Sequence, residues 1–417
     1  MAALLLAPSQ AHATNGLNLI GFGAESIAMG GADLAVARDT TATNTNPAGL
    51  TQQQGQRLDL IGAAGYAINI RHQDQLGNDV STANRWIYAG EFGYAQRLTS
   101  RPVVLGIGAF AQGGAGVVYE DLTTPFGTED DLINQFRVAR LTPSVAWQID
   151  HALSVGVTAV VTYSDMEQEV FPDTSFADPA APEPFFGYRL TDMDALAAGL
   201  KLGAMYKPND RLTLGAGYTS QVALNLDGGE MIVDMTAIGV GKVTYHDVEA
   251  SGLNQPQEAG VGLAYQVTNN LLAAIELTWI DWSRAVKRST LTARKPDNSA
   301  APPRLEQEAD LHWRDQYVFA VGLAYDVTEH TTLRCGYNGA RNPIPDESVT
   351  PLLAPTTRHH VTTGIGHRLS ERWRIDGAVE YQVDEKITYT NPNLPFGPDA
   401  QAETEAVVLY LMASRSW

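Results

Sequence analysis

The sequence predicts an all-β chain: a 14-stranded antiparallel transmembrane β-barrel with an N-terminal hatch, or plug, inside the lumen. Three observations lead there. Apolar residues recur at every second position in segment after segment, short turns alternate with long connections, and no stretch resembles a membrane helix. A spanning helix needs about 20 mostly apolar residues. The longest uncharged run after residue 24, Pro102–Tyr119, holds five glycines, a proline and a glutamine. A bilayer tolerates only helices or closed barrels, because unpaired backbone groups are too costly in hydrocarbon.

Composition narrows the field before any element is placed. The 417 residues include 28 Lys+Arg against 47 Asp+Glu, a formal net charge of −19. Lysine occurs six times, so the basic patches that hold nucleic acid are missing. The single cysteine, Cys335, excludes an intramolecular disulfide and a CxxC zinc site; its phase with Leu333 and Tyr337 reads as lipid-facing. No GxxxxGK[ST], GxSxG, HExxH or HxxEH motif is present, and His359 and His360 are strand neighbours on opposite faces. The expectation is therefore no enzyme, no cofactor and no metal site.

Residues 1–13, MAALLLAPSQAHA, combine a short apolar core with Ala11-His12-Ala13, the small-x-small pattern of a secretory cleavage site. A basic n-region is missing, so the expected signal is a truncated one, with the mature chain beginning near Thr14. Residues 14–56 do not alternate. They are small and polar, yet carry Leu17, Leu19, Ile20, Phe22, Ile27 and Met29, apolar residues that argue for burial as a lumenal hatch rather than for a free tail. The barrel is expected over 57–417.

Strands are expected near 57–71, 85–98, 102–113, 136–150, 152–166, 193–207, 211–226, 256–268, 271–288, 313–327, 331–341, 359–369, 372–388 and 403–417. The pattern is plain in Leu196, Ala198, Leu200, Leu202, Ala204 and Tyr206, which alternate with Ala197, Gly199, Lys201, Gly203, Met205 and Lys207. The outward faces tend to end in an aromatic residue, as an interfacial girdle requires. Long connections near 120–135, 167–192, 227–256, 289–312, 342–358 and 389–402 would lie on one side of the membrane. The last strand ends on Trp417, the kind of terminal aromatic signal that the barrel assembly machinery reads.

The stretch GFGAESIAMGGADLAVARDTTATNTNPAGL (21–50) resembles the N-terminal hatch of the FadL family. Three further segments agree: TWIDWS (278–283), HWRDQYVFAVGLAY (312–325) and GYNGARNPIPDESVTPLLAPTTRHHVTTGIGHRLS (336–370). The resemblance implies passive uptake of hydrophobic compounds through the outer membrane. Long-chain fatty acids are the expected substrate; neutral aromatic or aliphatic hydrocarbons are the alternative, and a general diffusion porin or structural barrel is the rival class. The implied surroundings are outer-membrane lipid and lipopolysaccharide.

Candidate site residues follow from both readings. Phe171, Phe176, Phe185 and Phe186 in one long connection, and Met231, Ile232 and Met235 in the next, are too apolar for solvated loops, and such clusters usually mark binding. In the resembled family these loops form an outer groove; loop-on-loop packing is the alternative. Inward phase puts Arg140, Lys201 and Arg314 in the lumen, where a cation could meet a fatty carboxylate or merely neutralise acids such as Glu276 and Asp326. The resemblance also implies an inward kink in the third strand that opens the wall; Gly106, Gly108, Gly113 and Gly114 are the candidates. It further implies that Asn46, Pro47, Ala48 and Gly49 seat the hatch against the wall as a gate.

Overall fold

The computed structural model describes residues 15–178, 184–353, 357–392, 394 and 396–417; the expected signal segment, 1–13, lies outside them. Twenty strand segments form one continuous antiparallel sheet that closes on itself. Fourteen strands make the barrel wall. They are β1 Gln56–Gln73, β2 Trp86–Arg97, β3 Val103–Thr123, β4 Glu129–Leu141 resumed at Ser144–Gln148, β5 Leu153–Phe176, β6 Phe185–Asn209 and β7 Leu212–Thr219. The others are β8 Glu258–Thr268, β9 Leu271–Ile280, β10 Gln316–Asp326, β11 Thr331–Ala340, β12 His359–Arg368, β13 Trp373–Tyr389 and β14 Ala400–Ser416. The seam runs from Arg57 opposite Ser416 to Gln73 opposite Gln401. At its foot the Gln56 amide donates to Trp417 (2.8 Å) and the Trp417 amide to Gln56 (3.0 Å).

Alternation is the physical signature of this wall. Along β6, Leu196, Leu200, Leu202 and Tyr206 are exposed, while the intervening Lys201 and Met205 are buried. Lipid is the solvent for the first face and the filled lumen for the second. Aromatics ring both ends of the outer surface: Trp147, Tyr206 and Trp373 near the short turns, Trp86, Tyr218 and Tyr317 near the long connections. Cys335 is exposed on this outer face, as its phase predicts. The short turns cap themselves. At the β4–β5 turn the amides of Ala152 and Leu153 donate to Asp150 (2.7 and 2.8 Å), and those two bonds hold its carboxyl below the usual range.

Beyond the long-connection end the sheet continues. The expected loops 120–135, 167–192, 227–256 and 289–312 are largely strands: β3, β4, β5 and β6 run on, and four further segments, Leu226–Met235, Gly241–Ser251, Arg288–Pro296 and Arg304–Asp310, extend the neighbouring wall. These stretches rise past the lipid belt, so neither face meets hydrocarbon and the apolar contrast that marks a membrane strand is lost.

Residues 15–56, the expected hatch, are mostly buried and pack against the barrel strands. The hatch is built from a short helix, Gly23–Ala28, and two 3-10 turns, Thr40–Thr43 and Pro47–Gln52. Asp39 caps the first turn through the Thr41 amide (2.8 Å) and Asn46 caps the second through the Ala48 amide (3.2 Å), with Pro47 at the first helical position. Wall glycines make the fit possible. A Cβ on Gly203 would lie 2.1 Å from Asn46 Oδ1, and one on Gly156 would lie 2.4 Å from the Pro47 carbonyl carbon.

Candidate functional site

The first feature of the site is a cavity of about 230 Å³ in the upper lumen. Its apolar lining comes from the hatch (Leu17), from β4 and β5 (Phe136, Met166) and from the long connections (Leu311, Leu352). Tyr188 also faces it, its hydroxyl donating to Gln168 (2.6 Å). Among the described lining residues there is no lysine or arginine. The one carboxylate, Asp310, accepts from Arg288 Nε (2.7 Å), which holds it below the ordinary range and so ionised.

A second, smaller cavity of about 100 Å³ lies against the hatch and is polar. Lys201, Glu258, Glu276 and Asp33 face it. Lys201 is buried and donates to the Thr45 carbonyl (3.2 Å); Arg140 is buried and donates to Gln255 (3.3 Å). Both cations are lumenal, as phase predicts, but neither lines the apolar cavity. Glu276 is occupied by the hatch, accepting from the amides of Asp33 (3.0 Å) and Leu34 (2.8 Å). Arg314 is not in the lumen. Strand β10 starts only at Gln316, so its phase does not extend back through the coil before it, and Arg314 is exposed. Its neighbour Trp313 is buried, packed edge-on against Trp282 at 5.2 Å, a contact that leaves no trace in alternation. Asp326, the other acid expected inside, is also exposed.

The expected outer groove is largely closed. Phe171, Met231 and Met235 are buried in the main apolar cluster, and Ile232, Phe185 and Phe186 are half-buried. Packing, rather than an open groove, accounts for these side chains. What reaches the surface is a stack: Phe126 lies over Phe176 (5.1 Å) and Phe185 (4.6 Å), and Phe185 leads through Phe171 (6.2 Å) to Phe396 (6.0 Å). Phe126 and Phe396 belong to two of the expected long connections, 120–135 and 389–402, but neither was among the candidate site residues.

The third feature is a break in the wall. Strands β2 and β3 pair only from Arg97 opposite Val104 to Phe92 opposite Ala109. Above that, β2 keeps its pairing with β1 as far as Trp86, and β3 keeps its pairing with β4. The segment leading into β2 is tied to β3 again higher up, where the Ala83 amide donates to Val118 (2.8 Å). Between the ties β3 bends away at Gly113 and Gly114, whose φ values of +151° and +144° only glycine adopts readily. Gly106 and Gly108, the other candidates, lie in regular ladder opposite Ala95 and Gly93. The hatch takes the place β2 leaves. The Leu19 amide donates to Gln112 (3.3 Å) and the Gly114 amide to Leu17 (3.0 Å), with Asn18 bridged to Gly113.

Asn46, Pro47 and Ala48 sit against β5 and β6. Asn46 Nδ2 donates to the carbonyls of Leu34 (2.7 Å) in the hatch and Ala204 (3.1 Å) in the wall. Gly49 packs instead within the hatch, where a Cβ would meet the Ala37 carbonyl at 2.3 Å. A barrel plugged by its own N-terminus, with an apolar chamber above and a break in the wall beside it, is the geometry to set against known proteins. The family described as outer membrane protein transport protein (OMPP1/FadL/TodX) matches residues 4–416. The chain belongs to that family.

Solved members share its fold at low identity. The toluene transporter TodX of Pseudomonas putida superposes with a TM-score of 0.79 at 18% identity, over 96% of this chain and 100% of that one. The toluene transporter TbuX of Ralstonia pickettii gives 0.77 at 19%, over 96% and 99%. A FadL homologue of Pseudomonas aeruginosa gives 0.76 at 16%, over 96% and 99%. A 47 kDa outer membrane protein of Pasteurella multocida is 23% identical over 218 residues, 50% of this chain and 49% of that protein, so the match spans about half the length of that curated relative. This OMPP1/FadL/TodX member is thus an outer-membrane β-barrel of a transport family.

Proposed function

We propose that the protein admits neutral hydrophobic solutes of roughly one-ring size by passive diffusion. They would be collected at the Phe126, Phe176 and Phe185 stack, held in the upper lumenal cavity and released through the break between β2 and β3. The observation that carries this reading is the lining of that cavity, which is largely apolar, has no lysine or arginine among its described residues, and has its one carboxylate, Asp310, already paired to Arg288. A cavity of about 150 Å³ is enough to hold benzene in a dry apolar site, so about 230 Å³ fits a substituted ring. A long-chain fatty acid would need a partner for its carboxylate, and the nearest cation, Arg288, is already taken by Asp310. The names of TodX and TbuX as toluene transporters favour the same class.

The test is direct binding by the purified protein in detergent micelles. Toluene should bind, and oleate should bind no better than to empty micelles. Introducing Met166→Trp, which fills the cavity, should weaken toluene at least tenfold, the equivalent of about 1.4 kcal/mol. Tight oleate binding with toluene indifferent to that substitution would reverse the assignment.

Trp417 has a related role in this reading, as the terminal signal for insertion. Its ring and that of Trp373 hold Arg415 between them, at 5.0 and 5.3 Å, on the last turn of the seam. Trp417→Ala should lower the amount of folded barrel in the outer membrane several-fold while leaving toluene binding by the surviving fraction unchanged. Heat-modifiable gel mobility reads the first and micelle binding the second.

A further inference from the structure

Resting on the route proposed above, we infer that the lumenal mouth of the break recognises a hydrogen-bond donor carried on a small ring, the hydroxyl of a phenol. A cavity of about 50 Å³ lies there. The β2–β3 ladder ends at Phe92 opposite Ala109. Just beyond that last pair, Ala89 and Glu91 of β2 and Ala111 of β3 line the cavity, so it sits where the two strands part.

Its walls are of two kinds. Leu19 of the hatch, Ala63 of β1, and Ala406 and Val408 of β14 are apolar, and Tyr66 adds a ring packed on Trp86 at 4.9 Å. Against them stand Glu91, Gln382 of β13 and Tyr410 of β14. Among the described lining residues there is no lysine, arginine or histidine.

A buried network fixes what the polar side can offer. Glu380 of β13 accepts from the Tyr410 hydroxyl (3.0 Å) and from Gln382 Nε2 (3.2 Å), and His360 Nδ1 lies 3.1 Å from the oxygen that the amide reaches. The Tyr410 proton is thereby committed, and the Gln382 amide is turned with its nitrogen towards Glu380. Two acceptors remain. Gln382 Oε1 and Glu91 Oε2 have no hydrogen-bond partner, although their residues are only 2% and 7% exposed. Buried oxygens of this kind call for a donor.

The contrast between the walls selects the donor's carrier. A buried water wants two to four polar partners, and most of this lining is carbon. A hydrocarbon would leave both oxygens unpaired. An ammonium group would first have to shed its water in the apolar upper cavity, at far higher cost than a neutral hydroxyl. A ring takes about 150 Å³, too much for this space, so the hydroxyl enters and the ring stays in the gap between β2 and β3. A phenol meets both walls at once.

The site is isolated by working with purified Met166→Trp protein in micelles, whose upper cavity is filled. p-Cresol should bind this protein about tenfold more tightly than p-methylanisole, which has a similar shape but no donor. Adding Glu91→Leu or Gln382→Leu should lower the p-cresol affinity about tenfold and bring it to the level of the ether, whereas Glu91→Gln keeps an acceptor and should stay within about twofold. Heat-modifiable mobility confirms that each barrel is folded, and the comparison of the two ligands needs no further variant. Equal binding of p-cresol and p-methylanisole would overturn the donor site, as would p-cresol affinity indifferent to both leucine substitutions. Toluene binding with Met166 intact is read separately. Its failure would remove the proposed solute class and leave the donor site standing, and failure of the p-cresol arm would leave toluene uptake untouched.

Discussion

Replacing Gly113 with alanine is expected to dislodge the N-terminal end of the hatch and to weaken toluene binding about tenfold, a loss of about 1.4 kcal/mol. Two independent costs act at this position. The backbone φ of +151° is one that residues with a Cβ rarely adopt, and the new Cβ would lie 1.9 Å from the Leu17 carbonyl oxygen. Strain of this kind costs on the order of 1–3 kcal/mol. The wall cannot easily yield, because β3 is paired with β4 on the other side through Gly113 opposite Val138. The hatch strand is the softer partner, held here by the Asn18–Gly113 bridge and the two bonds from Leu19 and to Leu17. Leu17 also lines the apolar cavity, so its departure removes part of the binding surface. Hydrogen exchange at the Leu19 and Gly114 amides should accelerate together with the loss of affinity. Gly90→Ala is the matched control: a Cβ there meets nothing within 4 Å, and both readouts should remain as in the wild type. Protected amides and full affinity in Gly113→Ala would refute the coupling between kink and hatch.

The wall was legible because two solvents mark its two faces. Where lipid lies on one side and the packed lumen on the other, as along β6 from Leu196 to Tyr206, period-two alternation identifies the strand and its orientation. Above the lipid belt that contrast disappears. Phe171 then reads as part of an apolar loop, although it sits inside a long β5 with φ of +47°, beside a register shift that scrambles the alternation. Arg314 failed for the opposite reason: a phase valid from Gln316 onward was carried into a coil that does not obey it. Lys201 and Arg140 were placed inside correctly, but phase says only which face a residue occupies. It does not say that one belongs to a polar chamber at the hatch and neither to the apolar chamber above. The break in the wall was visible as glycines in β3. Choosing Gly113 and Gly114 over Gly106 and Gly108 required knowing that β3 continues to Thr123, and that Leu17 and Leu19 lie alongside. Contacts between the hatch and distant strands leave no mark in local sequence.

Replacing Arg334 with methionine should loosen the hatch as a whole and cost about 3 kcal/mol, the scale of a charge-assisted hydrogen bond lost from a buried site. Arg334 projects from β11 into the lumen with its side chain 2% exposed. It joins Glu25, in the short hatch helix, at 3.3 Å to Asp376, on β13, at 3.0 Å. Methionine keeps much of the volume and removes the charge, so packing is largely spared. The acids are then held unequally. Asp376 retains Arg374 at 2.7 Å, which comes from its own strand, so the wall is still satisfied. Among the described residues Glu25 then keeps a direct ion pair to Arg38, which is itself part of the hatch, with Arg374 of the wall acting on it only from beyond ion-pair distance, so the pair can leave the wall together. The expected result is therefore release rather than unfolding: faster proteolysis within residues 19–55, a rise in single-channel ion conductance, and a barrel that keeps its heat-modifiable mobility. Adding Glu25→Gln to Arg334→Met should recover part of the lost stability, because the hatch then no longer carries a buried acid without its wall partner. A tight, non-conducting Arg334→Met protein would mean that the plug is held by shape alone, through contacts such as Asn46 against Gly203, and not by this ion pair.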